Sequence, residues 1–321
     1  MQITPNDSRT TIAAVRARAY MASFLTTGDD MDMIRLATKS RRALLLLGAL
    51  VSVASTSASA QGSDAGSAAP DTAHRAHLFT RSDALLFGAF VAGAAAISPF
   101  DSRIAREIRE PEAQSSSFAS HAADAFNFVG DPGTLIVGAA LYGVGRLGHH
   151  ARVADLGLHA TEAIVVSGGI GYLIKGLAGR QRPRQAGVND PDDFSFGGGF
   201  GSGGGSSFPS GHATAAFALA TVVTLETHRW SPRSTWYVAP AAFGTATLVG
   251  VARLYTNAHW ASDVIMGAGV GTLTALKVVR FNHVTNPRNR VNRWLLAAIP
   301  TPAPGASGRG AMLVWSFAAP R

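Results

Sequence analysis

The chain has 321 residues, 47% of them hydrophobic, no cysteine, and 28 Lys+Arg against 20 Asp+Glu for a formal net charge of +8. That length holds one large domain or two small ones with a sizeable core. It excludes disulfides and thiolate metal centres. No nucleic-acid partner is expected either, because the basic residues form no stripe with interleaved aromatics.

Residues 1–60 read as a signal peptide with a start-site extension. Lys39, Arg41 and Arg42 form a basic n-region, Ala43 to Val53 a short apolar h-region, and Ala58-Ser59-Ala60 a small-residue cleavage site; Met31 or Met33 would be the true start. Residues 61–76, rich in Gly, Ser, Ala and Asp, read as a disordered linker. A single helical domain is expected over 77–280, with its motif-bearing core at 160–280, followed by a basic, Pro/Gly-rich tail at 281–321.

Within the domain, Ser82 is expected to cap a helix over 84–98 that Pro99 ends. Residues 101–112 read as a charged surface helix whose only apolar positions on one face are Ile104 and Ile108. Helices follow over 117–128, 134–147 and 153–178, the last delivering Lys175 near its end. Residues 183–208 are a loop, glycine- and serine-rich over 197–207, readable as a lid or as a plain surface loop. Three more helices are expected over 210–227, 235–252 and 259–280, and in the tail Trp294–Ile299 can pair with Met312–Phe317 as a hairpin.

The uninterrupted apolar runs, Ala163–Ile174, Ala213–Leu225 and Val264–Leu276, are shorter than the roughly 20 residues of a membrane span. Because so many helices are apolar on most faces, the domain is nonetheless expected to be membrane-embedded or membrane-associated, with a soluble periplasmic bundle as the alternative. Topology is conflicted at this level. Three apolar segments, 84–98, 134–147 and 163–174, precede Lys175, so a cleaved leader would leave Lys175 facing the cytoplasm. Arg229, Arg233, Arg280, Arg288, Arg290 and Arg293 instead suit the inner side and place the loop after Lys175 outside.

Three clusters carry the chemistry. In the first, Lys175 is a point charge, and Arg182, stiffened by Pro183, is a planar fork for two oxyanion oxygens. In the second, Pro209-Ser210-Gly211-His212 opens a helix: the Ser210 hydroxyl, the Gly211 N–H and the helix dipole favour an anion, and His212 stands beside it as a general acid. In the third, Arg253 precedes His259 and Asp263. A helix spacing of four puts that imidazole and carboxylate on one face, so the carboxylate can accept the Nδ1–H and leave Nε2 as a nucleophile. Asn257 or Thr256 is the expected cap. The remaining histidines, His159, His228 and His283 among them, show no metal-ligand spacing, and no metal site is expected.

Taken together and in this order, Lys175, Arg182, Pro183, Pro209, Ser210, Gly211, His212, Arg253, His259 and Asp263 resemble the motif of the type 2 phosphatidic acid phosphatase and vanadium haloperoxidase superfamily. The one departure is Ala252, where that family usually has serine. The resemblance implies a six-helix bundle and hydrolysis of a phosphomonoester or diphosphate without a metal or other cofactor. His259 would be the nucleophile, Asp263 its orienter and His212 the acid, with Lys175, Arg182, Ser210, Gly211 and Arg253 holding the phosphate oxygens. The implied substrate is a phosphorylated lipid if the helices are in the membrane, acted on from the outer side of the cell envelope, and a small phosphomonoester if they are not. A vanadate-dependent haloperoxidase, with vanadate as its cofactor, is the competing activity.

Overall fold

The structure is a computed structural model that describes residues 78–185, 190–201, 205–287, 289–304 and 311–317. The leader and the 61–76 linker lie outside the described residues. The first helix starts earlier than its sequence indicates. Thr80, not Ser82, is its cap, with the Thr80 hydroxyl accepting the Asp83 N–H while the Asp83 carboxylate accepts the Thr80 N–H at 2.6 Å. Helix α1 (Arg81–Ile97) then passes through one 3₁₀ turn (Ser98–Phe100) into α2 (Asp101–Arg109). Pro99 sits at the start of that turn, where the missing N–H costs little, so it bends the rod without ending it.

After a short α3 (Pro111–Gln114), α4 (Ser117–Phe128) runs through a turn at Val129–Gly133 into α5 (Thr134–Leu147), which makes a second rod. The third rod is α6 (Ala151–Ala178), closed by Gly179 at φ 59°, a left-handed position suited to glycine. Helices α7 (Gly211–Trp230), α8 (Thr235–Tyr255) and α9 (Ala261–Arg280, extended by a turn at Phe281–Thr285) supply the last three. The domain is thus an all-α bundle of six rods. In the tail, an eight-residue helix α10 (Arg290–Ala297) takes the start of the expected hairpin, and the antiparallel pair is shifted to β1 (Ala298–Pro304) and β2 (Ala311–Phe317).

Five of the rods are long and apolar enough to cross a membrane: 81–109, 117–147, 151–178, 232–255 and 261–285. Counting uninterrupted apolar runs underestimated them, because small polar residues inside the helices do not break them. Thr245 and Thr247, inside the 232–255 rod, each donate their hydroxyl to the carbonyl one turn back, at 2.9 and 2.8 Å, and so cost little in an apolar setting. The outer faces carry exposed apolar side chains such as Leu85, Ile136, Val165, Leu173 and Leu248, as a lipid-facing surface requires. Trp236 and Tyr237 stand exposed at one end of α8, where a membrane interface favours them.

Helices α7 and α9 form the centre, with α1, α6 and α8 packed around them. Their axes approach closely because α9 presents Gly267 and Gly271 to α7. A Cβ on Gly267 would lie 2.5 Å from the Ser210 carbonyl oxygen, and one on Gly271 closer still to that of Thr214. On the other side of this seam Phe90, Phe217, Phe243, Val249 and Ile265 pack as the main apolar core.

Candidate active site

The alternation of six rods brings the C-terminal ends of α6 and α8 and the N-terminal ends of α7 and α9 to one end of the bundle. All three sequence clusters meet there. His259 does not lie on the helix, as its spacing to Asp263 implied. Helix α9 begins at Ala261, and the chain reaches His259 through Asn257 in a left-handed conformation at φ 50°. Asn257 is therefore a turn residue and not a cap; its Oδ1 accepts the Arg109 Nε–H at 3.2 Å. Asp263 itself closes the helix start by accepting the Trp260 N–H at 2.9 Å.

This changes how His259 is held. Its Nδ1 lies 2.7 Å from the Ser207 carbonyl oxygen and 3.6 Å from Asp263 Oδ2. A carbonyl only accepts, so Nδ1 carries the proton and Nε2 is left with its lone pair. Asp263 stands directly behind as a fully buried negative charge. Its Oδ2 also accepts the Ser207 hydroxyl at 2.5 Å, and its Oδ1 accepts Arg180 Nη1 at 2.6 Å. Every hydrogen-bonding direction of that carboxylate is fixed. Burial holds the His259 imidazole down to about 4, against the raising pull of Asp263, so the ring is neutral at pH 7.

Arg180, two residues before Arg182, was not singled out by its sequence. It is buried and holds a hub: Nη1 donates to Asp263 and to the Ser262 hydroxyl, Nη2 donates to Asp101 at 2.9 Å, and Nε to the Pro191 carbonyl at 2.7 Å. The guanidinium also stacks over Phe194 and Trp260. Asp101 is thus a buried ion-pair partner and not part of a solvated helix face. Its Oδ1 accepts the Ser262 N–H at 3.1 Å. Nothing in the local pattern marks these partners, since they come from segments about 80 residues apart in the chain.

The other cations are held differently. Lys175 Nζ donates to the carbonyls of Ser206 and Pro209, at 2.7 and 3.0 Å. Arg182 Nη2 reaches Ser206 O at 3.4 Å, and Arg253 Nη1 donates to Asn127 Oδ1 at 2.7 Å. The Nε of both arginines is buried with no hydrogen-bond partner among the described residues. Ser210 is buried at the cap of α7, where its Oγ accepts the Ala213 N–H at 3.5 Å; Gly211 is exposed in the first turn.

His212 is half-buried, and burial, followed by Arg253, lowers its imidazole to about 4. Gly130, in the turn between α4 and α5, packs against its ring: a Cβ there would lie 3.0 Å from His212 Cδ2 and 2.7 Å from Val249 Cγ1. Ala252 is buried on α8, and its carbonyl accepts the Thr256 hydroxyl at 3.0 Å.

The glycine-rich loop is partly described, and those residues pack down. Phe200 sits on Gly176 with no room for a Cβ between them, and its ring meets Tyr172 edge-on at 6.1 Å. The arrangement is a neutral histidine with one free lone pair, facing a set of cations whose donors are only partly used. Such a set can bind a tetrahedral oxyanion and present a nucleophile to it.

At the far end of the bundle the structure brings together three residues from three helices, His159, Glu226 and His283, which sequence spacing gave no reason to connect. Their side-chain ligand atoms lie within 4.8 Å of one another.

The model of the PAP2 superfamily matches residues 156–287. Over 67 residues, 21% of this chain, it is 48% identical to a lipid A 1-phosphatase of Porphyromonas gingivalis, and the match covers 14% of that relative's length. Among solved structures it is similar to a transmembrane PAP2-type phosphatidylglycerolphosphate phosphatase from Bacillus subtilis, at 23% identity and a TM-score of 0.48, covering 63% of this chain and 96% of the other.

Proposed function

Because residues 156–287 match the model of the PAP2 superfamily, we propose that this chain is a membrane-embedded phosphatase that hydrolyses the phosphate ester or diphosphate of a lipid through a phosphohistidine. The observation that carries the reading is the pinned tautomer of His259, with Nδ1–H on the Ser207 carbonyl and Nε2 free among cations. In the first step Nε2 attacks phosphorus, the bond to the leaving oxygen breaks, and His212 gives that oxygen a proton. Asp263 steadies the imidazolium that forms. In the second step His212 takes a proton from water, the water oxygen attacks phosphorus, and the P–N bond breaks to return His259 and free phosphate. Lys175, Arg182, Arg253, the Ser210 hydroxyl and the Gly211 N–H hold the oxygens as charge builds. No cofactor enters these steps.

His212 must carry a proton at the first step, yet in the free protein burial and Arg253 oppose it. A bound phosphate dianion supplies the missing negative charge and raises that pKa, which couples acid readiness to substrate. The five apolar rods favour a lipid substrate over a small soluble ester. The lipid A 1-phosphatase relative adds a glycosyl phosphate of lipid A to the substrates worth testing.

The same reading orients the bundle. Arg146, Arg152, Arg229, Arg233 and Arg280 stand at the connections on the end opposite the site, and positive connections remain inside. The site then faces the outside of the membrane.

Because the natural chain has no cysteine, single-cysteine labelling is clean. In intact cells Asp192→Cys should react with a membrane-impermeant maleimide and Ser231→Cys should not; the reverse pattern would invert the orientation. Activity is read as phosphate release from phosphatidate, an isoprenyl diphosphate, lipid A and a small monoester. Rapid quenching with labelled substrate should trap an acid-labile, base-stable phosphoprotein, and finding none while turnover proceeds would remove the covalent step. Orthovanadate should inhibit; activation of bromide oxidation by peroxide would instead establish the haloperoxidase.

A further inference from the structure

We propose that His159, Glu226 and His283 form a divalent-metal site, of the class that binds zinc, at the end of the bundle opposite the catalytic histidines. His159 lies on α6, Glu226 in the last turn but one of α7, and His283 in the turn that extends α9. His159 Nδ1 lies 2.8 Å and His283 Nε2 2.7 Å from the same carboxylate oxygen, Glu226 Oε1. The two rings meet edge to face, with centroids 4.9 Å apart. Glu226 is fully buried and His159 is 3% exposed.

The decisive detail is how unevenly the carboxylate is used. Both imidazoles converge on Oε1, while Oε2 is buried with no hydrogen-bond partner among the described residues. Its nearest cation, Arg229 Nε, is 3.8 Å away on a half-exposed side chain. A carboxylate oxygen left without a donor in an apolar bundle is costly. Two imidazole nitrogens and one carboxylate are a complete three-ligand set for zinc, which takes neutral histidine and carboxylate at about 2.0–2.2 Å.

Seating an ion asks for little movement. In a tetrahedral site, donors about 2.1 Å from the metal are about 3.4 Å apart, so the N···O contacts of 2.8 and 2.7 Å to Oε1 open by about 0.6–0.7 Å, and Oε2 gains the ion as its partner when the carboxylate binds it through both oxygens. Asp155, four residues before His159 and therefore on the same helix face, is placed to receive or replace a water at the fourth position. The ion would join α6, α7 and α9, the three helices whose other ends carry Lys175, His212 and Asp263. Its role is to fasten the bundle, away from the reacting phosphate.

The test uses the full chain in detergent micelles, loaded with Zn²⁺, dialysed against metal-free buffer and analysed for metal. The comparison set is wild type, His259→Ala, Glu226→Gln and His283→Gln. His283→Gln keeps a donor for Glu226 but removes the imidazole, so it separates a metal ligand from a hydrogen-bond partner. One zinc per chain is expected in wild type and in His259→Ala, and none in the other two. Added zinc should raise the melting temperature of wild type and leave that of His283→Gln unchanged. If the variants fail to fold, Co²⁺ loaded into wild type decides the matter: intense visible bands of tetrahedral cobalt support the site, and their absence removes it. Wild type that retains no zinc, or His283→Gln that retains as much as wild type, would overturn the proposal and leave a hydrogen-bonded His–Glu–His cluster only. Each readout is independent of turnover.

Discussion

The two ends of the bundle handle buried charge in opposite ways. At the end away from the phosphate site, Glu226 is met by two imidazoles and Lys277 pairs with Asp83. At the end proposed to be catalytic, Lys175, Arg182 and Arg253 have only carbonyls and an amide as partners, and among the described residues no carboxylate pairs with any of the three. Arg180 sits at that same end yet is neutralised by Asp101 and Asp263. What distinguishes a grip from a strut is therefore not the presence of a buried cation but whether the protein supplies its counter-charge. Where it does not, the substrate must.

The largest effect expected on that contrast comes from His259, the proposed nucleophile. His259→Ala should lower kcat/KM by at least about 10⁴-fold, with the trapped phosphoprotein lost and the melting temperature little changed. Next come the two arginines as a matched pair. Arg253→Ala should cost about 10²–10³-fold in kcat with only about 1 kcal/mol lost in stability, because it removes a buried cation that has no anionic partner and one hydrogen bond to Asn127. Arg180→Ala strands two buried carboxylates and should cost about 3–5 kcal/mol of stability as well as activity. Equal melting temperatures for the two variants would abolish the distinction between grip and strut.

The pH dependence comes third. In the free protein the His212 pKa is depressed to about 4. As pH rises above that value the protonated fraction falls about tenfold per unit, and kcat/KM should fall with it; His212→Asn should be slow and lack that basic limb. Gly130→Ala pushes a methyl into Val249 and the His212 ring and should reduce kcat about tenfold, roughly one misplaced acid group. Smallest is Ala252→Ser, which should lower KM by a few-fold, about the worth of one added hydrogen bond of 0.5–1.5 kcal/mol.

Much of this was legible from residue order. The rods lie within a few residues of where apolar runs, Pro and Gly place them, and the three clusters do meet. What residue order misreads is junctions. Pro99 looks like a stop but falls where a 3₁₀ turn tolerates it. The spacing of His259 and Asp263 looks helical, but the helix starts between them, and a backbone carbonyl accepts the Nδ1–H instead. Partners drawn from distant segments leave no local periodicity. Asp101, Arg180 and Ser207 read as ordinary polar residues until the fold brings them to Asp263. His159, Glu226 and His283 are separated by 67 and 57 positions and belong to three different helices.

The glycine seam between α7 and α9 has a mechanical consequence. One turn of α9 after Asp263, Gly267 rests against the Ser210 carbonyl, and the Ser210 N–H in turn donates to the Asp263 carbonyl at 3.0 Å. The helix that carries His212 and the helix that follows His259 are thus gauged against each other largely by main chain. Thickness changes in a surrounding bilayer would be taken up by the outer rods, which present their side chains to lipid. The gap between Ser210 and Asp263, where the proposed reaction would take place, would keep its width, much as a lathe holds its cut while its housing warms.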